Sequence, residues 1–213
     1  MTITQIIQFQ QPSASAAETQ AHAALQALKD TKAPENYLLG THIQDERKLQ
    51  LTSEWHDPQA ESTPAANEYR STVLSALGSP DKMLHVNFTS ETPLFGETGP
   101  MVSPIIEFVK IYFPASRATS EFCAKIEKDF NVFDEKCLVA AQGNGGMAYG
   151  WVLEEQEHES LKGEKARCFV VARGWQSMQC FEDLLKSQEY KDAMGIVIAW
   201  AAPADMWHVK REL

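Results

Sequence analysis

One series of signals runs through this chain twice, in the same order, over residues 1 to about 100 and about 101 to 213. Each half opens on an apolar, strand-like run, Ile3-Thr4-Gln5-Ile6-Ile7-Gln8-Phe9 and Ile105-Ile106-Glu107-Phe108-Val109-Lys110-Ile111. A proline follows each run, at Pro12 and Pro114. A helix, two strands, a second helix and a closing strand are expected next in each half. The third strand of each half ends on a tryptophan, Trp55 and Trp175. A βαββαβ unit places both helices on one sheet face and leaves the other bare. A second copy in the same chain is the simplest cover for it.

The period of the apolar residues places the elements. In the first half, Ala17, Ala21, Ala24, Leu25 and Leu28 predict a helix over 16–29, with Ser15 and Glu18 at capping-box spacing. Strands are expected over 37–44 and 48–55 around the turn Asp45-Glu46-Arg47, then a helix over 65–77 and a strand over 83–89. The second half is expected to give a helix over 116–130, strands over 136–142 and 166–175, and a helix over 177–194. Its closing strand is expected over 195–201, because Ile196, Ile198 and Trp200 alternate with Val197, Ala199 and Ala201. A strand apolar on both faces must be covered on both. The expected architecture is therefore α+β: two βαββαβ ferredoxin-like repeats, 1–92 and 104–213, joined by a linker over 93–103 and closed into one intramolecular α/β barrel.

A net charge of -10 disfavours nucleic acid and anionic membranes as partners, since both call for a basic surface. The longest apolar run, over 195–202, is too short to cross a bilayer. The N-terminus has no basic stretch leading into an apolar one, so no secretory signal is expected. The cysteines Cys123, Cys137, Cys168 and Cys180 match neither a redox pair nor a zinc site. They read as reduced thiols in a cytoplasmic protein. The cluster Gly143-Asn144-Gly145-Gly146 lacks the Lys-Ser/Thr of a phosphate loop. It is expected to mark a bulged strand or a close backbone approach.

The segments Arg173-Gly174-Trp175-Gln176-Ser177-Met178-Gln179-Cys180-Phe181 and Ser187-Gln188-Glu189-Tyr190-Lys191 resemble the dimeric α/β-barrel superfamily. More narrowly they are similar to the antibiotic-biosynthesis-monooxygenase (ABM) and stress-responsive barrel proteins. The first half carries a diverged version in Trp55, Glu61-Ser62-Thr63-Pro64 and Tyr69. The resemblance implies a small-molecule enzyme, first a cofactor-independent oxygenase of a planar or polycyclic, polyketide-like metabolite of secondary metabolism. It also admits a cyclase or isomerase working by general acid–base catalysis, a non-catalytic ligand-binding or stress-associated barrel, and haem as substrate or ligand. A homodimer of the pseudo-dimer is compatible with it.

Alternation along each strand splits the residues into two faces. One set in the first half is apolar: Ile3, Ile7, Phe9, Leu49, Leu51, Trp55, Leu84, Val86 and Phe88. The other is polar: Gln8, His42, Thr52, Glu54, His85, Asn87 and Thr89. A polar set buried inside a barrel needs partners, and a wet ligand pocket provides them. His85 and Asn87 are the expected catalytic pair, His85 as general acid or base and Asn87 orienting a developing oxyanion. Glu54 and Tyr69 are expected to assist. His42, Trp55, Arg173 and Trp175 are the expected ligand-binding residues, and Lys110, Tyr112, Arg173 and Gln142 are expected to point inward in the second half. A structural role for each is the competing expectation. His42, Glu54 and His85 lack the short spacing of a metal triad, so no metal is expected. His22, His56, His158 and His208 receive no role.

Overall fold

A computed structural model describes residues 2–29, 31, 34–56, 63–89, 91–138 and 141–212. The elements run β1 (Ile3–Gln10), α1 (Ala14–Leu28), β2 (Asn36–His42), β3 (Lys48–Trp55), α2 (Pro64–Leu77) and β4 (Lys82–Phe88). They continue with β5 (Ile105–Pro114), α3 (Ser120–Leu138), β6 (Asn144–Val152), β7 (Ala166–Trp175), α4 (Met178–Lys186), α5 (Gln188–Ile198) and β8 (Ala204–Arg211). The strands are antiparallel throughout and close into a barrel in the order β1-β3-β2-β8-β5-β7-β6-β4. Each half contributes four neighbouring strands. Two seams join the halves, β2 with β8 and β4 with β6.

Local chemistry explains the helix starts. Ser13 Oγ accepts from Ala16 N at 3.1 Å, two residues before the cap expected at Ser15. Thr63 caps α2 beside Pro64, while residues 61 and 62 of that motif lie outside the described residues. Ser177 and Ser187 cap α4 and α5. The second cap breaks the helix expected over 177–194 and restarts it.

Each strand then feeds two cores. Ile6, Leu84, Val86, Phe108, Val170 and Val209 fill the lumen. Leu94 and Met101, from the connection between β4 and β5, are buried in the same core. On the outer faces, Phe9, Leu49 and Leu51 meet α1 and α2, and Phe113, Phe169 and Val171 meet the second half's helices. Each seam carries a lumen-facing glycine where the strands press close. A Cβ on Gly40 would collide with Val209 and the Lys210 carbonyl, and one on Gly150 with Asn87 O and Phe88 Cα.

Two expected strands are corrected. Residues 195–198 lie in α5, and the closing strand is β8. A short run of Ile, Val and Ala fits a helix as well as a strand, and the Ser187 cap decides for the helix. Likewise α3 runs on to Leu138, because Phe130, Asp134 and Cys137 keep helical spacing, and β6 takes the place of the strand expected over 136–142. The glycine cluster behaves as expected. The β6–β7 register shifts between Asn144 and Met147, and a Cβ at Gly146 would strike Thr98 O.

Candidate functional site

Between the second sheet and its helices lies a buried polar cluster. Glu107 on β5 stands opposite Arg173 on β7 on one side and His208 on β8 on the other, and Ile105 opposite Trp175 sets the same register. Glu107 is 9% exposed, Arg173 7%, His208 2% and Trp175 not at all. Buried polar groups of this kind must be matched by partners. Trp175 Nε1 donates to Glu107 Oε2 at 2.8 Å. Arg173 forms an ion pair with Asp134 of α3 and donates to Asn144 Oδ1 at 3.1 Å. Burial raises the Glu107 pKa, against the opposing pull of the Trp175 donor and the Arg173 charge. Burial also lowers that of Arg173, with Glu107 opposing.

His208 has its tautomer set by Gln44. The His208 backbone N–H donates to Gln44 Oε1 at 2.9 Å, so the Gln44 amide must turn its NH2 to His208 Nδ1, at 2.8 Å. Nδ1 is then the acceptor and the proton sits on Nε2. Burial lowers the pKa of this imidazole to about 4. Its Nε2 is buried with no hydrogen-bond partner, and the ring meets Phe181 edge-on at 4.4 Å.

Glu107, Arg173, Trp175, Cys137, Phe133 and Tyr190 border a cavity of about 150 Å³. Its other walls are mainly aliphatic and aromatic. A dry apolar space of this size accommodates one benzene-sized ring. A porphyrin is several times larger and does not fit it. Chemically, the cavity offers a carboxyl group held through one oxygen, a guanidinium and a tryptophan face around a one-ring volume.

The first half has Gln5, Ser53, Trp55 and His85 at the same register positions. Gln5 Nε2 donates to His85 Nε2 at 3.1 Å, and Trp55 Nε1 is left buried without a partner. Tyr69 packs edge-on against Trp55 at 5.6 Å, and burial raises its phenol pKa. The helix above presents Ala17, Ala21 and Ala24, which let it lie close on the sheet.

The expected site residues are dispersed. His42, Thr52 and Glu54 face the lumen, as the alternation implies, but β4 is turned the other way. Leu84 and Val86 point into the lumen core, so His85 and Asn87 lie on the outer face and do not share a side with His42 or Glu54. His85 Nδ1 pairs with Glu154, and its backbone N donates to Glu154 Oε2 at 3.0 Å. Asn87 and Glu54 do border one groove of about 750 Å³ at the barrel end, where Glu54 also accepts from Asn36 at 2.8 Å. His42 stacks on Trp207 in the lumen, 6.3 Å between centroids, and burial lowers its pKa to about 4. Tyr69 and Trp55 sit under the first half's helices. Lys110 and Tyr112 point into the lumen, whereas Arg173 points away from it, toward the helices, together with Trp175. Glu107 and His208 were not singled out from the sequence. The signal for His208 is its place opposite the opening strand, which an expected closing strand over 195–201 conceals. No group of three or more His, Cys, Asp or Glu suited to a metal ion occurs among the described residues. No helix among them is long and apolar enough to cross a membrane.

No family model and no curated protein matches the sequence. Solved structures do match the fold. A "putative monooxygenase" from Lactobacillus acidophilus NCFM aligns with a TM-score of 0.60 at 12% identity, over 99% of this chain and 93% of that one. An "anthrone oxidase-like protein" aligns at 0.57 and 15% identity, over 100% and 91%. A "putative chlorite dismutase" aligns at 0.58 and 8% identity, over 100% and 95%. At such identities the likeness shows the fold alone, and the chain shares the α/β-barrel architecture of these proteins.

Proposed function

We propose that the protein oxidises a small electron-rich ring compound with molecular oxygen, at the cavity around Glu107 in the second half. The observation that carries this reading is a buried carboxyl group bordering a one-ring cavity beside a guanidinium. Burial raises its pKa, and a carboxylate with a raised pKa is a stronger base when ionised. Glu107 takes a proton from an activated ring carbon, and Arg173 holds the oxygen on which the negative charge develops. The electron-rich anion then reacts with oxygen. A CH2 becomes a C=O; one oxygen atom enters the product, and the other leaves as water with the two hydrogens. The names of the structural neighbours, a monooxygenase and an anthrone oxidase-like protein, support this class of reaction without naming a substrate. The proposed reaction draws on no bound cofactor.

In this reading the halves are tandem ferredoxin-like copies of ABM type, 1–92 and 104–213 about a linker at 93–103. Support comes from the matched strand order and from the register-equivalent pairs Ile3–Trp55 and Ile105–Trp175. The four unpaired cysteines support a reducing cytoplasm. A second reading places the substrate in the groove between Asn87 and Glu54, and the size of that groove favours it for polycyclic compounds.

Oxygen uptake with a graded series of compounds that carry an activated ring CH2, from one-ring 1,3-cyclohexanedione through two-ring 1,3-indandione to three-ring anthrone, tests both readings. Uptake with one-ring compounds, lost in Glu107→Gln and kept in Asn87→Ala, supports the cavity. The reverse pattern supports the groove. Ligand-induced thermal stabilisation without any turnover would leave a binding barrel, and product formation without oxygen uptake a cyclase or isomerase.

A further inference from the structure

A second chemically distinctive cluster lies inside the barrel, on the opposite face of β5 from Glu107. Lys110 and Tyr112 point into the lumen, and both are nearly buried, at 5% and 3% exposure. Across β8, Lys110 stands opposite Asp205, and across β7, Tyr112 stands opposite Cys168. The Tyr112 hydroxyl donates to Asp205 Oδ2 at 2.5 Å, which ties the nearest carboxylate to the phenol. The loop between β6 and β7 lies against this end, with His158 against the Tyr112 ring at 4.6 Å and Leu161 packed on the lumen core, while Asp205 is exposed. Among the described residues, no hydrogen bond or ion pair reaches Lys110 Nζ. Its contact is the Tyr112 ring face, 4.8 Å away.

An ammonium group buried without an ion pair is costly, and losing its proton relieves the cost. Burial pushes the Lys110 pKa down, and the Lys82 charge pushes it the same way, while Cys168 and Asp205 oppose. A neutral lysine is a nucleophile, and a phenol–carboxylate pair beside it can deliver and accept protons.

We propose that Lys110 is a carbonyl-reactive amine that forms an imine with small aldehydes at this end of the barrel, with Tyr112 and Asp205 moving the protons. The amine nitrogen adds to the carbonyl carbon to give a carbinolamine. The C–O bond then breaks, and the oxygen leaves as water with both amine hydrogens, so no oxidant or reductant is consumed.

The test uses the full chain, acetaldehyde below one equivalent and cyanoborohydride as the trapping reductant. At about pH 6, ordinary lysines are almost wholly protonated. Peptide mapping by mass spectrometry is expected to find the first trapped two-carbon unit on Lys110, with every other lysine modified at least about tenfold more slowly. Tyr112→Phe is expected to slow trapping at Lys110 about tenfold. Lys110→Met is expected to abolish the early adduct. First adducts on the α-amino group or on surface lysines of the unmutated protein, with Lys110 untouched, would overturn the proposal, whether or not the variants fold.

Discussion

The helix layer of the first half and that of the second stand on the same register positions but are filled differently. Both keep a tryptophan at the end of the third strand and a histidine on the closing strand. Where the first half has Gln5 and Ser53, the second has Glu107 and Arg173. Where the first lays an alanine-faced helix close on the sheet, the second leaves a cavity of about 150 Å³. In one layer the tryptophan Nε1 is orphaned, and in the other it holds the carboxyl group. The pattern separates what the scaffold needs from what a site needs. Shared residues pack, and the residues that differ bring charge together with space.

The sharpest way to break this contrast is to give the second half the first half's residue. Glu107→Gln keeps the shape and an acceptor for Trp175, and is expected to lower any oxygen uptake by roughly a hundredfold or more, read on an oxygen electrode. Arg173→Ser copies the first half at its other differing position and leaves Asp134 buried without its partner. Urea denaturation is expected to show a loss of about 3–5 kcal/mol, much of it restored when Asp134→Asn and Arg173→Met are combined.

Gly150→Ala probes the seam rather than the layer. The added methyl meets backbone, so a loss of about 1–3 kcal/mol is expected. Gly195→Ala, on α5 with open space around it, is expected to stabilise by up to ~1 kcal/mol. The paired substitutions Trp55→Phe and Trp175→Phe sharpen the comparison further. The second is expected to cost about 1–2 kcal/mol more than the first, because it strips a donor from a buried carboxyl group.

Proton linkage adds a pH dependence to the same comparison. His42 and His208 have folded-state values of about 4 against 6.5 when unfolded. The unfolded chain therefore takes protons first, and stability falls as pH drops from about 6.5 toward 4. Glu107 is raised and acts in the opposite sense, its contribution falling as pH rises from 4.5 through its folded value. His42→Phe is expected to flatten the acid limb of a denaturation-versus-pH curve, and Glu107→Gln to steepen it.

The barrel was legible because strands such as β5 and β7 are dense in β-branched and aromatic residues, and because Trp55 and Trp175 mark equivalent strand ends. The closing strand was not legible. β8, Ala-Asp-Met-Trp-His-Val-Lys-Arg, is half polar, while the more apolar run before it belongs to α5 and leaves Ile198 68% exposed. That single misplacement hid the match between His85 and His208, each paired with position 5 or 107 of its opening strand. The face of β4 was lost for a related reason. Met83, His85 and Asn87 alternate with Leu84, Val86 and Phe88 under either orientation, and only the pairing with β1 decides which set looks inward. Arg173 and Trp175 stand out in the sequence, but their place beside Glu107 does not, because register, not sequence distance, brings them together.

Both seams are short, three paired positions each, and each depends on a glycine. Nothing in their hydrogen bonding requires that the two halves belong to one molecule. What favours closure within the chain is the high local concentration set by the stretch over 89–104, whose Leu94 and Met101 anchor it in the barrel mouth. Shortening that stretch would leave the seams intact and change only their ownership. Two chains would then trade halves and rebuild the same barrel twice as an exchanged dimer, with protein concentration deciding between the two forms.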